Sequence, residues 1–302
     1  MSLFLDELRA RLPLAGSELL LALDIDGTIL HHDTSLTPRV AQAIHAHQAR
    51  GTQIVLATGR GTYATLVALN QLGIESGVAV CSNGALTITF GEYELPSFTS
   101  TTASFSDNED LTFPSREGFP AYTVIDVHTF DPSKEVMSVH AALPEALLAV
   151  EAIDGPRRVT QEFPPGELTG PNLVLPASEI AITDATRFTV RAPEMSSQEL
   201  LDAIAKLGLR GVDYAVGWTA WLDITPAGVT KAAALERIRK ALGMGAEATL
   251  AVGDGGNDID MLMWAHVGVA MGGSSADVQA SADFVGASVD EDGLAEILEA
   301  LL

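Results

Sequence analysis

The sequence predicts an α/β protein in which a parallel sheet carries helices on both faces and a second α/β domain is inserted midway. Short apolar runs such as LLLAL, QIVLA and GVAVC recur between stretches of helical periodicity, the alternation that builds parallel sheets buried on both faces. The alternation breaks between about Leu86 and Gly217, where Ser, Thr, Pro and Gly clusters (LPSFTSTTASFSDNED, EFPPGELTGPNLVLP) separate scattered strand and helix signals. It then resumes to the end of the sequence.

The elements follow in order. LLLAL, residues 19–23, reads as the first strand. LTPRVAQAIHAHQARG reads as a helix, with Thr37 as N-cap, Pro38 in the first turn, Val40 and Ile44 on one face and Gly51 as terminator. TQIVLATGR is a buried strand, TYATLVALNQLGI a helix and GVAVCSNGA another strand. After the insertion, VTKAAALERIRKAL reads as a helix, ATLAVGDG as a strand, NDIDMLMWA as a helix, VGVAM and ADFVG as short strands and DGLAEILEALL as a closing helix. The expected division is a discontinuous core of residues 1–87 and 217–302 around an insertion of residues 88–216. There is no internal repeat or low-complexity tract.

With 302 residues, 47% of them apolar, the chain fills a sizeable core. Its 17 Lys and Arg against 40 Asp and Glu give a net charge of -23, a field that repels phosphate backbones and argues against a nucleic-acid partner. Cys81 is the single cysteine, and the first residues lack the pattern of a secretory leader, so a reduced, cytoplasmic setting is expected. No apolar run approaches the roughly 20 residues that span a bilayer, so no membrane partner is expected. Nothing in the sequence sets an oligomeric state.

The chemistry gathers where strands end. Asp24 and Asp26 follow LLLAL two residues apart, and strand alternation turns both to one side. Two neighbouring carboxylates raise each other's pKa unless a cation, a hydrogen-bond network or solvent relieves the charge. Taken alone, DIDGT also fits a solvated Asp-Gly turn. A calcium EF-hand loop fails on spacing, because Thr28, Ile29 and Ser35 stand where Asp or Asn, Gly and Glu are needed.

A second apolar strand, in AVGDGGNDIDML, ends in Asp254 and then Asp258 at a helix start, although a Gly-rich turn with Asp258 as N-cap would read the same. Together the oxygen-rich strand ends suit a hard cation such as Mg2+, with Ca2+ open on ligand type. Thr58, Gly59 and Arg60 close a further strand with a loop able to face an anion. Lys231 opens a helix, where it opposes the helix dipole; an anion held nearby explains it, and an exposed lysine without a role is the plain alternative.

DIDGT, LATGR, CSNGA, GVTKAAAL, GDGGNDIDML and GVAMG, in this order and spacing, resemble the haloacid dehalogenase superfamily and within it the Cof-type phosphatases with the larger, C2-type cap. The resemblance implies a Rossmann-like core with an inserted cap and a Mg2+-dependent phosphatase acting on a small phosphorylated metabolite, sugar phosphates first. It implies Asp24 as nucleophile, Asp26 as general acid and base, and Lys231 as the cation beside Asp24. It places Thr58, Gly59, Arg60, Asn83, Lys231 and Asn257 around the phosphate or substrate, and Asp24, Asp26, Asp254 and Asp258 around the metal, Asp26 through its backbone carbonyl. Gly273 and Gln279 depart from the Asn-Ala pair and following lysine common after GVAMG. Phosphotransfer to a sugar, or a non-catalytic regulatory module that keeps the metal site, are the other functions the pattern admits.

Among the remaining residues, His45 and His47 are expected at the surface; His31 and His32 in a solvated loop, with a place bordering the site as the alternative; and Cys81, Trp218 and Trp221 in packing, with one tryptophan lining a substrate pocket as the alternative. His128, Arg187 and Arg191 are the cap residues that could meet a substrate.

Overall fold

The computed structural model describes residues 3–99, 111–115, 118–209, 212–216 and 220–302. In chain order the strands are β1 (Leu20–Leu23), β2 (Gln53–Ala57), β3 (Gly77–Cys81), β4 (Leu86–Phe90), β5 (Thr112–Phe113), β6 (Tyr122–Val127), β7 (Leu147–Glu151) and β8 (Arg157–Val159). They continue as β9 (Asn172–Val174), β10 (Arg187–Arg191), β11 (Val212–Val216), β12 (Trp221–Pro226), β13 (Thr249–Gly253), β14 (Val267–Ala270) and β15 (Phe284–Val285).

A nine-stranded sheet runs β15-β14-β13-β1-β2-β3-β4-β6-β5. It is parallel from β15 to β3, and β4, β6 and β5 extend it antiparallel. Strand β1 shows how the sequence builds both faces. Leu21 and Leu23 join the cluster with Ile44 and Leu298, whereas Leu20 and Ala22 join the cluster with Leu235 and Met261. Each buried leucine of this kind contributes roughly 1.5–3 kcal/mol. The predicted helix after β1 spans Pro38–Ala49, with the Thr37 hydroxyl accepting the Val40 N–H. An N-terminal helix, Leu3–Arg11, and a short one, Ala276–Ser281, were not foreseen.

The second sheet runs β11-β12-β10-β7-β8-β9 and is antiparallel apart from the β8–β9 pair. Its alternation is as informative as that of β1. Leu148, Val150, Phe188, Val190, Leu222 and Ile224 form one apolar face against the helices Ser133–Ala142 and Ser197–Leu207. The intervening positions Glu151, Arg187, Thr189 and Asp223 are buried and polar. Beside them on this face Leu147, Ala149, Val159 and Phe163 form a small apolar cluster, so the polar residues occupy one part of it.

The sheets do not divide where composition placed the boundary. Strand Leu86–Phe90, which crosses the expected boundary, and Tyr122–Val127, from within the expected insertion, pair with each other in the first sheet, so the chain leaves it after Val127 rather than at residue 88. At the other end Trp221–Pro226 belongs to the second sheet, so the return comes after Pro226 rather than at residue 217. The Ser- and Thr-rich stretch misled because the chain comes back to pair with β4 beyond it, and local composition does not show which distant strands become neighbours. Among the described residues, no helix is long and apolar enough to cross a membrane.

Candidate active site

In the first sheet, chain order advances from β1 to β2 and β3 on one side and from β13 to β15 on the other, so the reversal lies between β1 and β13. Ligands of open α/β sheets bind beyond the carboxyl ends of the strands at such a point. Asp24 follows β1 there, its N–H donating to Val252 O over 3.0 Å, and Asp254 follows β13. Asp24 continues the side of Leu20 and Ala22, the side on which the helix Lys231–Ala241 packs.

Lys231 begins that helix behind the N-cap Thr230 and is fully buried, which excludes the exposed, roleless lysine. Its Nζ donates to Asp24 Oδ1 and to Asp258 Oδ1, each over 2.6 Å. Asp258 Oδ2 accepts the N–H groups of Asp254 (3.0 Å) and Gly255 (2.9 Å), which fixes the turn carrying Asp254. Oxygens of Asp24, Asp254 and Asp258 lie within 4.8 Å of one another, all buried. Burial, and then the charge of Asp258, push the Asp24 carboxyl up to about 7, more than Lys231 offsets. Burial opposes the charge on Lys231, but Asp24 and Asp258 outweigh it and raise the ammonium pKa. Three carboxyl groups thus gather around one ammonium, which bonds only Asp24 and Asp258, a donor set of hard oxygens that fits a divalent cation.

Asp26 does not join this cluster. Its carboxylate is half exposed and takes both ends of the Arg60 fork, Nε to Oδ2 at 2.8 Å and Nη2 to Oδ1 at 2.6 Å. The loop after β2 stands beside it: Thr58 is buried, and its hydroxyl oxygen accepts the Arg60 N–H over 3.1 Å. Asn83, in the left-handed region at φ 55°, accepts from Asn257 Nδ2 over 2.8 Å, and its own Nδ2 has no partner among the described residues. All ten residues singled out from the sequence therefore fall in one neighbourhood, with the Asp26–Arg60 pair set apart from the three buried acids.

The family model of the haloacid dehalogenase-like hydrolases matches residues 21–102 and 172–298. The chain belongs to this family. Over nearly its whole length this hydrolase is also similar to named phosphatases. It is 27% identical to Phosphatase YwpJ of Bacillus subtilis, covering 94% of this chain and 99% of that protein. It is 24% identical to the 5-amino-6-(5-phospho-D-ribitylamino)uracil phosphatase YitU of the same organism, covering 93% and 96%. Among solved structures, a HAD subclass IIB sugar phosphatase shares the fold at a TM-score of 0.69 and 23% identity, over 94% of this chain and 100% of the other.

The polar face of the hydrolase's second sheet closes a cavity of about 410 Å3 over Asp24, Asp26 and Asp254. Arg187, Arg157, Glu167, Trp221 and Asp223 line it. Of the three cap candidates, only Arg187 reaches this cavity; Arg191 forks onto Glu167, and His128 sits with Asp126 and Arg237. Trp221 lines the cavity rather than only packing, while Trp218 lies outside the described residues. Glu151 and Asp223 were missed: each is an acid in an otherwise apolar strand (LLAVE, WLDIT), but neither has the second acid two residues on that marked Asp24. Cys81 is buried as expected, and burial pushes its thiol up to about 12. His45 is exposed, but His47 is fully buried, contrary to the surface position expected for it. Its ring bonds Leu298 O at 2.9 Å, a partner 251 residues away.

Proposed function

We propose that this hydrolase is a Mg2+-dependent phosphatase of a small phosphorylated metabolite, with sugar phosphates as the leading class, and that the second sheet and its helices act as a cap over the site. The observation that carries the reading is the buried Lys231 ammonium on Asp24 Oδ1 at the strand-order reversal, within one cluster with Asp254 and Asp258. Phosphatase names among the relatives and the sugar phosphatase among the similar structures support the substrate class.

In this reading Asp24 attacks phosphorus and forms an aspartyl-phosphate, which water then cleaves. Asp26, at the exposed side of the site, protonates the leaving oxygen and afterwards takes a proton from the water. Lys231 has three donors, two of them engaged by Asp24 and Asp258, and directs the third at a phosphoryl oxygen. The Thr58 hydroxyl and the unpartnered Asn83 Nδ2 are further donors, with Gly59 giving close backbone approach, Arg60 holding Asp26 and Asn257 orienting the Asn83 amide. Asp24, the Asp26 carbonyl and Asp254 would hold Mg2+, with Asp258 as ligand or support. When bound, the ion supplies positive charge that offsets the carboxylates and the transferring phosphoryl oxygens. The single, buried Cys81 supports a reduced, cytoplasmic setting.

The test is phosphate release from a panel of sugar and other metabolite phosphates, with Mg2+ and with chelator, beside Asp24→Asn. Release that needs Mg2+ and disappears in the folded variant is expected. Near-wild-type release by Asp24→Asn would falsify the assignment.

A further inference from the structure

The polar face of the second sheet reaches the catalytic loop through one side chain. Arg187 on β10 stands opposite Glu151 on β7 in register, and Thr189 stands opposite Asp223 on β12. The Arg187 fork donates from Nη2 to Glu151 Oε1 (2.8 Å), from Nε to Glu151 Oε2 (3.2 Å) and from Nη1 to Asp223 Oδ2 (3.1 Å). Asp223 is held in turn by Thr189 Oγ1 at 2.8 Å and Trp221 Nε1 at 3.0 Å. A planar fork tied to two fixed carboxylates has little freedom left. Its remaining contact crosses to the first sheet: Nη1 also donates to the backbone carbonyl of Gly59.

That contact has a consequence one peptide further on. The Gly59–Arg60 peptide is planar, so fixing its carbonyl fixes the opposite direction of the Arg60 N–H. This N–H donates to Thr58 Oγ1 over 3.1 Å. A hydroxyl has one proton to donate, and holding one lone pair limits where that proton can point. Among the described residues the Thr58 hydroxyl proton meets no acceptor.

The loop is also shaped to admit the second sheet this closely. A Cβ on Gly61 would lie 2.4 Å from Glu151 Oε2, and one on Gly59 would lie 3.4 Å from Asp223 Oδ2. A side chain at Gly61 would press on Glu151 and hold the sheets apart, whereas one at Gly59 would only touch Asp223.

We propose that Arg187 is a positioning residue: by clamping the Gly59–Arg60 peptide it aims the Thr58 hydroxyl at the transferring phosphoryl group. The second sheet then completes the donor set of the first as well as covering the cavity. This rests on the phosphatase reading above.

The experiment is a double-mutant cycle of Arg187→Gln and Thr58→Ala, read as kcat and KM for phosphate release from p-nitrophenyl phosphate, with wild type and Asp24→Asn alongside. Arg187→Gln alone is expected to lower kcat about 10-fold or more, with KM moving far less. In the Thr58→Ala background the same change is expected to cost less than about 2-fold, because the hydroxyl it aims is gone. Equal factors in the two backgrounds, or no effect of Arg187→Gln in either, overturn the proposal while leaving the phosphatase reading intact. No Asp24-dependent release by wild type overturns both. Circular dichroism checks the fold. If Arg187→Gln unfolds, Arg187→Lys replaces it in the cycle, keeping a positive charge between Glu151 and Asp223 but lacking the fork; the same non-additivity is expected, and additivity overturns the proposal.

Discussion

The Lys231 ammonium sits 2.6 Å from Asp24 Oδ1 with no exposure to solvent. A buried lysine in this position does two things: it neutralises part of an acidic cluster and it fixes which oxygen of Asp24 is free. Lys231→Met is expected to lower kcat at least about 100-fold, the scale of losing one preorganised charged donor. It also leaves Asp24 and Asp258 without their shared cation, so urea unfolding in chelator should show a destabilisation of about 3–5 kcal/mol. Added Mg2+ should recover part of that stability and little of the turnover.

Asp26 is assigned to the leaving group, and its contribution should therefore depend on how much help that group needs. With a sugar phosphate, Asp26→Asn is expected to reduce turnover by about 100- to 10,000-fold. With p-nitrophenyl phosphate, whose leaving oxygen needs no protonation, the loss should be much smaller. Equal losses on the two substrates would remove Asp26 from protonation of the leaving oxygen and place its contribution in the shared water-cleaving step or in holding Arg60.

The residues of the candidate site were legible because each lies at the end of a strand or the start of a helix, where a few consecutive residues set the geometry. Thr37 as N-cap and the burial of β1 to β3 were readable for the same reason. What was not readable depends on pairing between distant segments. Glu151, Arg187 and Asp223 become one cluster only through the register of β7, β10 and β12. Tyr122–Val127 belongs to the first sheet only because it finds β4 across a Ser- and Thr-rich stretch.

Gly27 is a position where backbone geometry and the acidic cluster meet. Its φ is +78°, and a Cβ there would lie 2.0 Å from Asp254 Oδ2. Gly27→Ala must therefore displace the Asp254 carboxylate and strain the turn by about 1–2 kcal/mol. The expected outcome is a rise of about 10-fold or more in the Mg2+ concentration needed for half-maximal phosphate release, since misplacing a carboxylate costs affinity on that scale. An unchanged Mg2+ requirement would remove Asp254 from the ligand set.

His47 gives the fold a pH dependence independent of the site. Its Nε2 donates to Leu298 O at 2.9 Å, its Nδ1 meets Thr52 Oγ1 at 3.2 Å, and Thr52 Oγ1 accepts the Gly16 N–H at 3.0 Å. The ring thereby ties the helix Pro38–Ala49 to the C-terminal helix and to the turn before β1. Burial lowers its pKa below the ordinary value of 6.5, with Arg50 adding to the effect and the Leu298 carbonyl opposing it. The folded chain therefore keeps the ring neutral at a pH where the unfolded chain has already protonated it. Because the unfolded state then binds one more proton, stability falls as pH drops through 6.5, and the loss ends once pH passes below the folded-state pKa. A single proton limits the slope to about 1.4 kcal/mol per pH unit. His47→Gln removes the titrating group but keeps a donor for Leu298, so its urea unfolding free energy should fall less than wild type between pH 7 and pH 5. Parallel curves for the two proteins would show that the wild-type loss comes from its carboxylates instead.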